Sequence, residues 1–337
     1  MTRTVLLRLL SAVPNLIGVV VVTFLLTRAL PGDPAAFFAG AAATPEAVEQ
    51  VRAKLGLNRP LVEQFLVYVG ELARGELGDS LSTGQPVATE LRQRLPASLE
   101  LTFCALAFAL AVSVPLGVAA AVRPGSWIDH LCRLITTAGV SLPTFFTGLL
   151  LSYLFYFVLG WAPSPLGRLD PSFPPPPGVT HMYLIDSLLT GDLELTRAAA
   201  AQLLLPAVTM GLFVLAPLAR MTRASMIAVL SSDFIRTARA SGLGPFTVLI
   251  RYGLRNAMLP IITTMGMVFS FLLGSNVLVE KVFAWPGIGS YAIESLTASD
   301  YAPIQGFVLM MGAMYVVLNL LIDLAYAVID PRVRVEG

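Results

Sequence analysis

Six apolar stretches punctuate the chain: Leu9–Leu30, Ala97–Val122, Leu134–Leu159, Ala199–Leu218, Leu259–Leu278 and Gln305–Val328. A helix needs about 20 mostly apolar residues to cross a bilayer. The pattern therefore predicts an all-α integral membrane protein with about six transmembrane helices. Residues 1–30 hold the N-terminus and the first span, 31–96 a small helical module expected on the external side, and 97–337 a transmembrane core. Within 31–96, Thr44-Pro45-Glu46 has the composition of a helix start and Gly56 of its stop. Leu61, Phe65, Leu66, Val69 and Leu72 recur at helical spacing, which predicts a second helix from about Pro60 to Leu72. Gly75 to Ser80 is a turn-rich break, and Pro86 to Leu95 predicts a third short helix leading into the second span. The module reads either as a cap packed on the bundle or as a surface for a soluble partner.

The other polar breaks differ in character. Leu159–Arg197 contains Pro174-Pro175-Pro176-Pro177-Gly178, a stiff extended connector, followed by a candidate interfacial helix over His181–Leu189. Val279–Pro303 contains Trp285-Pro286-Gly287. A tryptophan beside a Pro-Gly turn at the end of a span suits the membrane interface, or else a re-entrant or gate element. Residues 219–258 form the most basic break. Arg220, Arg223, Arg236, Arg239, Arg251 and Arg255 face a single acid there, Asp233. Ser231 or Ser232 can cap a first helix with Asp233 in its first turn, and Gly242 suits the left-handed stop. Pro245 fits the first position of a second helix running toward Leu259-Pro260. A basic helical hairpin between two membrane-length segments reads as a docking element.

Composition narrows the classes. With 337 residues, 56% hydrophobic and 13% charged, the chain is too apolar for an ordinary soluble domain. A net charge of +1 gives no reason to expect a nucleic-acid partner. Cys104 and Cys132 lie in or beside apolar runs and read as small core residues, and His130 and His181 have no ligand-like neighbours, so no metal is expected. The first apolar run is too long for a signal peptide and no small-residue cleavage pattern follows it, so it reads as a retained span. Arginines flank one set of span ends: Arg3, Arg8, Arg123, Arg133, the 219–258 stretch, Arg332 and Arg334. The opposite short loops hold Arg168, Arg197 and Lys281, outnumbered by acids. This asymmetry places both termini and residues 219–258 in the cytoplasm. No internal repeat is visible, which disfavours secondary transporters built from inverted halves.

Reactive chemistry is missing. The only lysines, Lys54 and Lys281, are followed by Leu55 and Val282, so no Gly-rich phosphate loop ends in Lys-Ser or Lys-Thr. There is no His-Glu-x-x-His helix, no Gly-x-Ser-x-Gly elbow and no pair of intramembrane carboxylates. The chain is not expected to be an enzyme. Asp323 is the clearest ionisable residue inside a span, with Asn319 one turn earlier on the same face. The two either line a polar path or form an interhelical hydrogen bond.

Several segments together resemble the permease subunits of bacterial binding-protein-dependent ABC importers, in the dipeptide, oligopeptide and nickel branch. They are Leu30-Pro31-Gly32-Asp33-Pro34, Gly75 to Ser80 with Pro86, Pro96-Ala97-Ser98-Leu99-Glu100-Leu101, Phe234 to Leu243, Leu254 to Pro260, the Trp285-Pro286-Gly287 turn, and Asn319 to Asp330-Pro331-Arg332. The resemblance covers nearly the whole chain and implies the type I importer fold in the bacterial inner membrane. It implies a second homologous permease, one or two ATPase subunits carrying ATP and magnesium, an external solute-binding protein and surrounding lipid as partners. This chain itself would bind no cofactor. Cargo would be a peptide or peptide-like solute moved inward by alternating access; nickel chelates, opines or glutathione are the alternatives, with a stand-alone channel or secondary transporter behind them. The 219–258 stretch resembles the loop whose short helix seats in a groove of the ATPase. That helix would cover about Ser232–Ser241, with Phe234, Arg236, Thr237, Ala238, Arg239, Gly242, Arg251 and Arg255 as its functional residues. Arg236-Thr237-Ala238 stand where the general motif has Glu-Ala-Ala. Phe234, Ala238 and Gly242 fall on one strip, the expected buried face of the knob.

Overall fold

The computed structural model describes residues 2–29, 33–40 and 43–329. Leu30-Pro31-Gly32, the closing Asp330-Pro331-Arg332 and Arg334, and the side chains of Arg3, Arg8 and Asp323 lie outside the described residues. Among those described, every regular element is helical apart from one isolated bridge between Asp79 and Pro86. The helices are α1 (Thr2–Ala29), α2 (Pro34–Ala39), α3 (Pro45–Lys54), α4 (Leu61–Ala73), α5 (Val87–Val122), α6 (Trp127–Ser141), α7 (Thr144–Leu151), α8 (Tyr183–Thr190), α9 (Leu193–Leu230), α10 (Asp233–Ala240), α11 (Pro245–Thr247), α12 (Arg255–Val282), α13 (Ile288–Thr297) and α14 (Tyr301–Ile329). Two π-helical stretches, Ser152–Val158 and Val248–Leu254, continue α7 and join α11 to α12.

Four helical stretches among the described residues are long and apolar enough to cross a membrane: Val87–Val122, Leu193–Leu230, Pro245–Gly274 and Tyr301–Ile322. Val13–Leu25 and Thr144–Val158 are apolar but shorter. Two sequence expectations need correcting. The short helix expected over Pro86–Leu95 is not separate, because α5 runs unbroken from Val87. The third apolar run is not one helix. Pro143 lacks an N–H and forces its predecessor out of the helical region, so α6 ends at Ser141 with Leu142 extended (φ −112°, ψ 141°). A cavity of about 250 Å³ opens at this break, lined among others by Gly139, Leu142, Thr144, Thr147 and Thr209.

The chain forms two compact units. Among the described residues the first comprises 97–285 and 318–329. Its axis is α9, 38 residues long, against which α6, α7, α8 and α12 pack. Interhelical packing in lipid relies on close approach, and small residues permit it. A Cβ at Gly117 on α5 would lie 2.7 Å from Thr222 Cβ and 2.9 Å from the Ala219 carbonyl. One at Gly211 would meet the Ala105 carbonyl at 2.9 Å, and one at Gly139 the Leu212 carbonyl at 3.0 Å. Cys104 and Cys132 are free thiols in this unit, Cys132 fully buried.

Among the described residues the second unit comprises 2–29, 33–40, 43–96 and 286–317. Thr44 caps α3 by accepting the Ala47 N–H, with Pro45 behind it, and Gly56 takes φ +67° after the helix ends. Phe24 of α1 meets Phe65 edge-on at 5.2 Å between ring centres. α4 forms where its periodicity puts it, yet it has no buried residue, and Leu61, Val62, Leu66 and Val69 are exposed. Elsewhere in the unit Val87, Leu91, Ile288 and Tyr291 make a small core. The buried Asp300 carboxylate accepts from Ser80 Oγ at 2.7 Å and from the Ser82 N–H at 3.0 Å, which fixes the turn after Gly75–Ser80.

Candidate docking helix and its supports

The stretch between α9 and α12 folds as a short helix stacked on the start of a long one. Ser232 occupies the cap position of α10 with extended backbone (φ −73°, ψ 156°), but its hydroxyl donates back to the Val229 carbonyl at 2.6 Å instead of capping. The helix stop follows the sequence pattern. Gly242 is left-handed (φ +77°); its N–H reaches the Arg239 carbonyl and the Leu243 N–H reaches that of Ala238. This paired closure is the Schellman arrangement.

The buried face is not the expected one. Ile235 (0% exposed) and Ala238 pack on Val248, with Val229 and Tyr252 beside them. Of the expected strip only Ala238 is buried; Phe234 is 45% exposed and Gly242 lies at the surface. Two residues three apart suffice for so short a helix to seat itself, and Ile235 with Ala238 meets the Val248 side where Phe234 does not. The second helix also departs from expectation. It does not stop near Pro260 but continues from Pro245 through the π-helical stretch into α12, with Pro260 inside the helix. The knob is thus held by α9 on one side and by the root of a membrane-length helix on the other.

Its outer surface is basic and aromatic. Arg236, Thr237 and Arg239 are exposed on α10, and Arg251 and Arg255 on the following segment. Arg236 meets Asp233 at 3.1 Å, with both side chains largely in solvent, so the pair contributes little. Among the described residues Arg220, Arg239, Arg251 and Arg255 have no carboxylate within 4.0 Å. Phe246 is 74% exposed beside a cavity of about 460 Å³ lined by Leu230, Leu243 and Leu249, with Arg239 at its edge.

Trp285 sits in a different setting. It is 1% exposed, so its ring packs within the protein. Its indole N–H donates to the Ala97 carbonyl at 2.9 Å. α12 closes just before it with Ala284 in the left-handed region (φ +48°) and the Trp285 N–H on the Glu280 carbonyl. Near it, buried Arg168 pairs with Glu100 at 2.6 Å, donates to the His181 carbonyl at 2.8 Å and lies 3.7 Å over the Tyr183 ring. Glu100 also accepts the Leu184 N–H at the start of α8. Ser98 donates to Glu280 at 2.5 Å. These groups fasten the 160–190 loop to α5. Pro286 is exposed and Gly287 buried. Asn319 is half-buried on α14, while the side chain of Asp323, expected on the same face, lies outside the described residues.

Comparison with known proteins decides the family. Residues 113–335 match the family of binding-protein-dependent transport system inner membrane components, and residues 1–102 match the N-terminal family of the same membrane components. A probable D,D-dipeptide transport system permease of Escherichia coli is 45% identical over 95% of this chain and 94% of its own length. The dipeptide transport system permease of Alkalihalophilus pseudofirmus is 39% identical, with 97% of this chain and 98% of the relative covered. A glutathione transport system permease of Escherichia coli is 37% identical over 99% of both chains. The chain belongs to this transport permease family. It is a membrane transport component and not an enzyme. The permease carries the 219–258 stretch and the Trp285 turn inside the first matched segment, and α3 and α4 inside the second.

One buried charged group near the base of the 219–258 stretch has no signal in the sequence. Asp129, in the first turn of α6, has a side chain with no exposed surface. It accepts from Arg223 twice, Nε at 2.6 Å and Nη2 at 2.9 Å, from Arg133 at 2.7 Å and from the Gly125 N–H at 2.9 Å. The Arg223 and Arg133 hydrogen bonds hold its carboxyl well below the usual carboxylate range. Arg223 is therefore spent inside the permease and is not part of the outward basic surface. A helix-start acid 94 residues from its arginine leaves no local spacing signal.

Proposed function

We propose that this permease is one of the membrane subunits of an ATP-driven importer for short peptides in a bacterial inner membrane. It crosses the membrane six times, with both termini and α10 in the cytoplasm and residues 31–96 outside. It works beside a second homologous permease, one or two ATPase subunits that bind ATP and magnesium, and an external solute-binding protein. The observation that carries the reading is α10: a knob welded inward through Ile235 and Ala238 that turns Phe234, Arg236 and Arg239 outward. Such a knob can pass a rigid-body shift from an ATPase to the membrane helices. Peptide cargo is supported by the names of the dipeptide relatives, and glutathione by that of the more distant one. In this reading the Asn319 and Asp323 face is a polar path or an interhelical bond, and Trp285-Pro286-Gly287 belongs to the outer gate.

The test is uptake in cells carrying the complete transporter. Arg236→Glu and Gly242→Asp should each abolish uptake of a labelled dipeptide while the permease still inserts in the membrane. Uptake surviving both changes would remove the docking assignment. Parallel assays with glutathione and with nickel separate the cargo alternatives, because only the true cargo competes with the labelled dipeptide at comparable concentration.

A further inference from the structure

The buried Asp129 carboxylate is tied through Arg223 to the arm of α9 that leads into the docking helix. Its partner Arg223 is seven residues before the end of α9 at Leu230, which is about 10 Å along a helix rising about 1.5 Å per residue. A carboxylate without solvent is costly unless its lone pairs are filled, and four donors fill them here. The planar guanidinium grips both oxygens at once, which a lysine cannot do. Around this pair the packing is tight. Gly117 brings α5 against Thr222 and Ala219, one turn from Arg223. Val118 and Ala121 of α5 cluster with Met226 of α9 and with Ala257 and Ile261 of α12.

The position of α9's prolines gives the pair its meaning. Pro206 and Pro217 interrupt the hydrogen-bond ladder of α9, and a helix bends most readily at such residues. Arg223 lies beyond both, on the α10 side. We propose that Asp129 and Arg223 are a positioning pair for energy coupling. They lock the α5–α6 corner to the arm that carries α10. A displacement of α10 then reaches the membrane-crossing wall directly, instead of being absorbed by bending at Pro217. The inference rests on the reading of α10 as the ATPase-docking helix.

The experiment uses the complete transporter reconstituted in liposomes with its binding protein. A photocrosslinking residue replaces Phe234 in a parallel preparation used only for crosslinking, and ATP hydrolysis and labelled dipeptide uptake are measured together in transporter with Phe234 intact. Asp129→Asn, Arg223→Lys and the double variant are compared with the parent. The expected result is unchanged crosslinking of position 234 to the ATPase and persistent hydrolysis. Uptake per ATP falls about tenfold, inside the roughly twofold to thirtyfold range of coupling changes. The double variant is no worse than either single one, because both remove the same link. Unchanged uptake per ATP in both singles overturns the proposal, as does parallel loss of crosslinking, hydrolysis and uptake, which marks a purely structural role. If Asp129→Asn fails to insert, Arg223→Lys, which keeps the charge, decides alone. If position 234 of the parent never crosslinks, the docking reading itself falls, and the coupling pair with it.

Discussion

Single residues in this permease owe their state to what encloses them. Tyr291 is 2% exposed; its hydroxyl donates to the buried Glu90 carboxylate and Arg94 lies 4.7 Å over its ring. Burial first, and the Glu90 hydrogen bond second, push the phenol well above its ordinary range. A raised acid contributes stability in full below its unfolded value, near pH 10, and loses it only as pH rises through the folded one. Tyr291→Phe strips the charge-assisted bond, so it should cost about 1.5–3 kcal/mol in thermal unfolding of the purified permease, constant across neutral pH. Asp129 runs in the opposite sense. Its depressed value means the ionised form is favoured on folding, with the benefit present above about pH 4 and lost only as pH falls through the lower folded value. The gap in melting temperature between the parent and Asp129→Asn should therefore be flat from about pH 5 to 8. A gap that narrows toward pH 5 would mean the carboxylate is not held as the geometry requires.

At the scale of elements, helix contacts depend on where side chains are missing. Gly117 faces the α9 backbone, whereas Gly274, also helical, has room for a methyl group, with nothing within 4 Å of where its carbon would stand. Gly117→Val should destabilise the permease by about 1–3 kcal/mol through overpacking. Gly274→Ala should be neutral or stabilise by up to about 1 kcal/mol through helix propensity. Unfolding of both variants in the same detergent checks the contrast, and equal effects would contradict the close α5–α9 approach. These contacts also explain what the sequence could reveal. Caps and stops were legible because they are local: Thr44, Pro45, Gly56 and Gly242 act on their own backbone. Apolar runs were legible as spans, but their ends were not, since α5, α9 and α12 extend well past the apolar stretch on polar residues that other helices support. The Pro143 break was missed because the surrounding run is apolar on both sides. The seat of α10 was misjudged because Phe234 is the largest apolar residue nearby, while the choice of Ile235 depends on Val248, which only the fold brings opposite it.

At the scale of the whole molecule, the proposed function divides the work between a surface that would receive force and helices that would carry it. The outward Phe234 predicts that Phe234→Asp will stop an ATPase from co-purifying with the tagged permease while leaving its amount in the membrane unchanged. Retained co-purification would shift the contact elsewhere, with Phe246 the next position to change. The docking positions come into view in the sequence only through family likeness; Asp129 does not, because its arginine is remote in the chain. The bare apolar flank of α4 has a practical result. Val62, Leu66 and Val69 are left open to the surroundings, so residues 43–96 cut away from the helices would clump in water instead of behaving as a soluble fragment. Anyone seeking a ligand for that segment should work with it still attached and in lipid.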